Sequence, residues 1–325
     1  MWEGMECGEM GSGDNAMAGA RRKRIPTPFP AKVPWSRAPM VVMAFCADCN
    51  PRSRDACAMF YAHWGLAHSP FAGSEAPLFY RGESQNEAQA RLRFVAEERR
   101  HAVLAGPRGV GKSLLLTHFA GGWLRQGRQA AYVSAVGATP RELLWRIAAG
   151  LSLSPRRDAD AQGLFRLLED VAAASRGWPQ PAIVLLDDAD QAGADVRTLV
   201  YRLTSLGAAA GTRLTLLLAA APANCSRLGD DLLDVLDLRI DLDPWSESDV
   251  AGYVHHALIE AGGDRPVFDD EALAALYALT DGIPRQVNRL ADHALLGAAA
   301  EGNDMVDAAM IEAAHEALRW TVTTA

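Results

Sequence analysis

The stretch 101–116, HAVLAGPRGVGKSLLL, constrains this chain more than any other. It reads as a buried-type apolar strand, a glycine-rich loop and the start of an amphipathic helix, with residues 106–113 satisfying G-x4-G-K-[ST]. Glycines at 106, 109 and 111 let the backbone turn tightly, with its N–H groups facing inward toward phosphate oxygens. The helix that follows adds its positive end to the same spot. Lys112 can reach the β- and γ-phosphates of a nucleotide, and the Ser113 hydroxyl can ligate Mg2+. Gly106, Pro107, Arg108, Gly109, Val110, Gly111, Lys112, Ser113 and Leu114 are therefore the expected phosphate site, and ATP with Mg2+ the expected ligand.

A second segment completes the chemistry. Residues 182–188, AIVLLDD, form an apolar strand ending in two carboxylates. Asp187 stands where Mg2+ would be held, and Asp188 where a base would polarise an attacking water. Between and around these segments, helical and strand patterns alternate. A helix over 84–100 carries Ala88, Leu92, Val95 and Ala96 on one side; strands are predicted at 102–105, 129–135, 213–221 and 238–242, besides the one ending at Asp187. Thr139, Pro140 and Glu142 open a further helix with a capping box, and others cover 164–174 and 197–208. Strands that are nearly all apolar, alternating with helices, call for a parallel sheet covered on both faces.

After Pro244 only helices are predicted: one capped by Ser246 with Asp249 at its third position, then 269–279, 284–300 and 308–320. The turn Gly282-Ile283-Pro284-Arg285 puts an arginine at a helix start, where the helix's own positive end disfavours it. An anion facing Arg285 accounts for that placement. The chain divides accordingly into a low-complexity, disordered extension at 1–58, a nucleotide-binding core at 59–243 and a helical lid at 244–325.

Composition enters mainly to exclude. The 325 residues, 49% hydrophobic, suffice for a buried core, and a net charge of −8 argues against a strongly basic nucleic-acid-binding body. Arg21, Arg22, Lys23 and Arg24 read as a solvated charge run. Cys46, Cys49 and Cys57 resemble half a zinc site but lack the other half. No apolar run approaches the ~20 residues a membrane helix needs, and no signal-peptide order opens the chain, which predicts a cytoplasmic protein without a membrane span. His255 and His256 have no metal-ligand spacing and read as ordinary surface or packing residues.

The α/β core followed by a four-helix segment with G-x-P-R resembles the AAA+ ATPases. Gly65-Leu66, Pro70-Phe71, Leu78-Phe79-Tyr80, Glu87-Ala88, Arg91-Leu92, Ala131-Tyr132-Val133, and Gly282-Ile283-Pro284-Arg285 with Asn288 and Ala291 bring it close to the general secretion pathway protein A, or ExeA-type, branch. That resemblance implies a five-stranded parallel sheet with the phosphate-loop strand central, a helical lid, and ATP bound between them. It makes residues 106–113 the Walker A loop, Asp187 and Asp188 the Walker B pair, and Arg285 the sensor 2 arginine coupling lid to nucleotide. It also implies a nucleotide-dependent ATPase switch controlling association with a protein partner or with itself. Three departures stand out. Asp188 replaces the family's glutamate, Ala221 occupies the polar sensor 1 position, and the arginine finger has only Arg239 and Arg227 as candidates. Slow hydrolysis follows, or a nucleotide-binding module with none. A DNA-associated regulator is the alternative of another class, and the sparse basic residues of the helical part (Arg285, Arg289, Arg319) count against it. Family members usually add a membrane span and a peptidoglycan-binding domain after the lid, and this chain is expected to act without them.

Overall fold

The computed structural model describes residues 61–71, 78–175, 181–206 and 214–323. The expected extension at 1–58, its arginine run and its three cysteines lie outside the described residues. Five strands form one parallel sheet: β1 (Ala102–Ala105), β2 (Ala130–Ser134), β3 (Ile183–Asp187), β4 (Thr215–Ala220) and β5 (Leu238–Asp241). Around them run α1 (Glu83–Glu97), α2 (Lys112–Arg125), α3 (Pro140–Gly150), α4 (Ala161–Ala174), α5 (Ala194–Thr204) and the short α6 (Asp230–Asp234). Then come α7 (Glu247–Glu260), α8 (Asp270–Thr280), α9 (Pro284–Glu301) and α10 (Ala308–Thr323).

Alternation along the strands sorts side chains to two faces. Val184, Leu186, Leu216 and Leu218 pack with α3, α4 and α5, while Ile183, Leu185, Leu217 and Ala219 pack with α1 and α2. Both faces are thus buried, which is why the strands read as unbroken apolar runs. The strand order is β2-β3-β4-β1-β5. This corrects the expectation that the phosphate-loop strand is central: β4 holds the middle, and β1 lies between it and the edge strand β5. The physical consequence is that the end of β4 stands between the two strands that carry the phosphate loop and the carboxylate pair.

The helix starts follow local chemistry. Thr139 and Glu142 make the reciprocal capping box, as do Ser246 and Asp249. Helix α4 begins earlier than its apolar pattern suggests because Asp160 caps it, its Oδ1 accepting from Gly163 N–H at 2.8 Å.

A third apolar cluster joins α7 to α10, and it includes Tyr61, Trp64, Leu66 and Phe71. The first described segment therefore packs on the C-terminal helices, far away in sequence. Trp64 is 2% exposed and donates its indole N–H to Leu295 O at 3.1 Å. Ala67 N–H reaches Ala261 O at 2.8 Å, and the Tyr61 and Ser69 hydroxyls donate to Asp292 Oδ1 at 3.1 and 2.7 Å. The indole and hydroxyl bonds tie the segment to the middle of α9, and the Ala67 bond ties it to the end of α7.

Candidate functional site

The loop after β1 is pinned at its base and open at its mouth. Val110, 1% exposed, inserts into the core on the α1–α2 face, fixing the loop against the sheet. Gly109 and Gly111 take φ of 89° and 106°, a region that a side chain makes costly. Gly111 is also the N-cap of α2 and offers no side-chain cap, so the first N–H groups of that helix keep no acceptor from the cap. An anion at this point supplies what the cap lacks. Lys112 is buried at 8% exposure, and its ammonium donates to Gly106 O at 2.7 Å and Pro107 O at 3.1 Å. Burial lowers its pKa, while Asp187, Asp188 and Asp190 push the other way. The lysine is held across the loop with a carboxylate group beyond it.

Arg108, Gly109, Gly111, Lys112, Ser113, Leu114, Asp188 and Arg285 line one cavity of about 850 Å3. Gly106, Pro107 and Val110 form the base of the loop beneath it. Arg285 opens α9, and its backbone N–H donates to Gly109 O at 3.2 Å. A Cβ on Gly109 would stand 3.0 Å from Arg285 Cβ and 3.1 Å from Ile283 Cγ2. The helical part thus rests directly on the phosphate loop, and glycine at 109 is what lets it approach. The far side of the cavity is built by Phe71, Asn288, Arg289, Asp292 and His293.

The two carboxylates after β3 differ in setting. Asp187 is 4% exposed and does not line the cavity; its Oδ1 accepts from Asp188 N–H at 3.0 Å and its Oδ2 from the Tyr132 hydroxyl at 2.7 Å. The same phenol stands beside the Ser113 and Thr117 hydroxyls. Burial first, then Asp187, pushes its pKa up to about 12, so it remains a donor. Asp188 sits at φ 51°, turned into the cavity mouth. Burial, then Asp187 and Asp190, raises its pKa above the usual carboxylate value. An acceptor poised for a water's proton has such a setting.

Sequence reasoning passed over three groups here. Tyr132 carries no role in the sequence pattern, yet it contacts Asp187. Asp190, 5% exposed, accepts from Asn224 Nδ2 at 2.8 Å, so a polar side chain does follow β4, three residues beyond Ala221. Asn288, Arg289 and Asp292 extend the expected Arg285 into a polar stripe at helical spacing on α9, a pattern legible from the helix predicted at 284–300. The finger candidates do not line the cavity of their own chain: Arg239 pairs with Asp241 at 2.7 Å on edge strand β5, and Arg227 is exposed. Among the described residues, no cluster of three His, Cys, Asp or Glu side chains could hold a metal by itself. A Mg2+ ion here would need phosphate oxygens besides Ser113 and Asp187, and the residues present fit that arrangement. No helix among the described residues is long and apolar enough to cross a membrane.

A phosphate loop on a five-stranded parallel sheet, roofed by a helical segment, defines a P-loop NTPase of the AAA+ class. Residues 95–228, the segment that holds the phosphate loop and the carboxylate pair, match the family described as AAA domain. Within that class it is similar to General secretion pathway protein A of Aeromonas hydrophila, 31% identical over 258 residues, which cover 76% of this chain and 46% of the relative. The chain spans less than half of that relative. Among solved structures, the Aeropyrum pernix ORC1 protein in complex with DNA matches at a TM-score of 0.57 and 16% identity, covering 77% of this chain and 68% of that one. Drosophila ORC bound to DNA matches at 0.60 and 16%, covering 80% and 66%. Cdc6p from Pyrobaculum aerophilum matches at 0.54 and 17%, covering 73% and 67%. At such identities these likenesses establish the fold.

Proposed function

We propose that this chain binds ATP with Mg2+ between a core at 59–243 and a lid at 244–325, hydrolyses it slowly, and uses nucleotide state to control association with a protein partner or with itself. The single observation that carries this reading is the shared cavity, in which Arg285 and the phosphate loop touch through Gly109. Backbone N–H groups of 109–113 and the start of α2 would receive the phosphates, with Lys112 neutralising the β- and γ-oxygens. Ser113 and Asp187 would hold Mg2+, which supplies charge neutralisation at the phosphates when bound. Asp188 would orient and deprotonate the water, and Arg285 would sense the terminal phosphate and set the position of α9. Because α9 also carries the segment 61–71, a shift of the lid would move that segment with it.

A second reading, a nucleotide-binding module with little turnover, is favoured by the apolar Ala221 at the end of β4. Steady-state hydrolysis together with nucleotide affinity, measured for the full chain and for Lys112→Ala, separates the two. Turnover lost in the variant supports the switch. Tight binding without turnover, even at high protein concentration where a neighbour's Arg239 or Arg227 could act, leaves the module. Retention of the chain on DNA that weakens with salt would instead support a DNA-associated regulator.

A further inference from the structure

We propose that Tyr132 is a positioning residue for the Mg2+ site: its phenol holds the Asp187 carboxylate toward Ser113, so that the contributions of β3 and α2 are aligned before nucleotide arrives. This rests on the nucleotide reading above. Tyr132 pairs with Leu185 across the parallel β2–β3 ladder, and Asp187 lies two residues further along on the same face, a diagonal neighbour within reach of an aromatic side chain. That face is the one α2 covers, since Leu185 packs in the cluster that holds Leu115 and Phe119. On α2, Ser113 and Thr117 are one turn apart and so share a side, with Thr117 Oγ1 donating to Ser113 O at 2.8 Å.

The Tyr132 ring passes between strand and helix and ends on Asp187 Oδ2 at 2.7 Å. With Asp188 N–H on Oδ1 at 3.0 Å, the carboxylate is gripped at both oxygens, one from its own backbone and one from the neighbouring strand. Each oxygen retains a lone pair, so the grip orients the group without consuming it. Elsewhere β2 buries Ala130, Ala131 and Val133, whereas Tyr132 is 39% exposed. Its hydroxyl is therefore the part of the residue with a specific task, and burial of the ring does not account for the position.

The test is nucleotide affinity of the full chain with Mg2+ and with excess chelator, for the wild type, Tyr132→Phe, Asp187→Asn and the double variant. Tyr132→Phe removes one hydrogen bond to a charged group and should shrink the Mg2+-dependent gain in affinity by about tenfold. Affinity in chelator should stay within a factor of about two, and thermal unfolding should show the variant folded. In the Asp187→Asn background, Tyr132→Phe should add nothing further, because the phenol acts through that carboxylate. Equal losses with and without Mg2+, an unchanged Mg2+ gain, or a full additional loss in the Asp187→Asn background would each overturn the inference while leaving the nucleotide site standing. A wild type that binds no nucleotide would instead overturn the underlying reading.

Discussion

The two ends of the cavity are built by opposite means. The phosphate end comes from consecutive residues, 106–114, held by backbone geometry and one inserted valine. The far end comes from Phe71 near the start of the described chain and from α9 near its end, joined by hydrogen bonds such as Ser69 to Asp292. A short contiguous motif carries its geometry with it, so its function can be read without knowing the fold. A site assembled from segments 200 residues apart cannot, because nothing local reports which surfaces will meet. The difference also divides the work: the phosphate end binds charge through rigid backbone, whereas the far end connects bound nucleotide to elements that can move.

That contrast predicts a gradient of effects. Lys112→Ala should be the most severe, lowering turnover by about 10³-fold, since a preorganised cation at the phosphates is lost. Asp188→Asn should lower turnover by about 10²-fold yet leave nucleotide affinity nearly intact, because the group acts on water and not on binding. Its pH behaviour adds a check. The carboxyl must be ionised to accept a proton, and burial with Asp187 and Asp190 raises its pKa. In the wild type, turnover should therefore fall on acidification while the pH is still above the range of an ordinary aspartate. A pH–rate profile with its acid limb at the ordinary aspartate value would remove Asp188 from that role.

Gly109→Ala tests the seam between the two ends. The new Cβ meets Arg285 and Ile283 in a backbone region that disfavours it, for about 1 to 3 kcal/mol of destabilisation. For a domain of this size that is a fall of about 2 to 4 °C per kcal/mol in thermal unfolding. Asp292→Asn should be mildest, about 1 kcal/mol, as the Tyr61 and Ser69 hydroxyls exchange a charged acceptor for a neutral one. If Asp292→Asn cost as much turnover as Lys112→Ala, the division between the two ends would not hold.

Much of the architecture was legible for the same reason as the phosphate loop. Period, caps and the run of apolar strands gave the parallel sheet, the four C-terminal helices, the Thr139 capping box and the Ser246 cap, since each is set by neighbours in sequence. What escaped reading is non-local. The insertion of β4 between β1 and β3 depends on how strands order themselves, which no local pattern reports, and the resemblance implied the phosphate-loop strand in the middle. Asn224 was missed because its partner Asp190 lies 34 residues away. Tyr132 was in view, but only the ladder register shows that it meets Asp187. The short helix Asp230–Asp234 is too brief to leave a periodic signal.

One nucleotide should engage both the phosphate loop and α9. Amide hydrogen exchange of the full chain, with and without ATP and Mg2+, tests this most directly, with Lys112→Ala as the reference. The nucleotide should slow exchange in 106–115 and also in 284–293 and 61–71, and all three effects should vanish in Lys112→Ala. Protection confined to the phosphate loop, with α9 and the 61–71 segment unchanged, would contradict it.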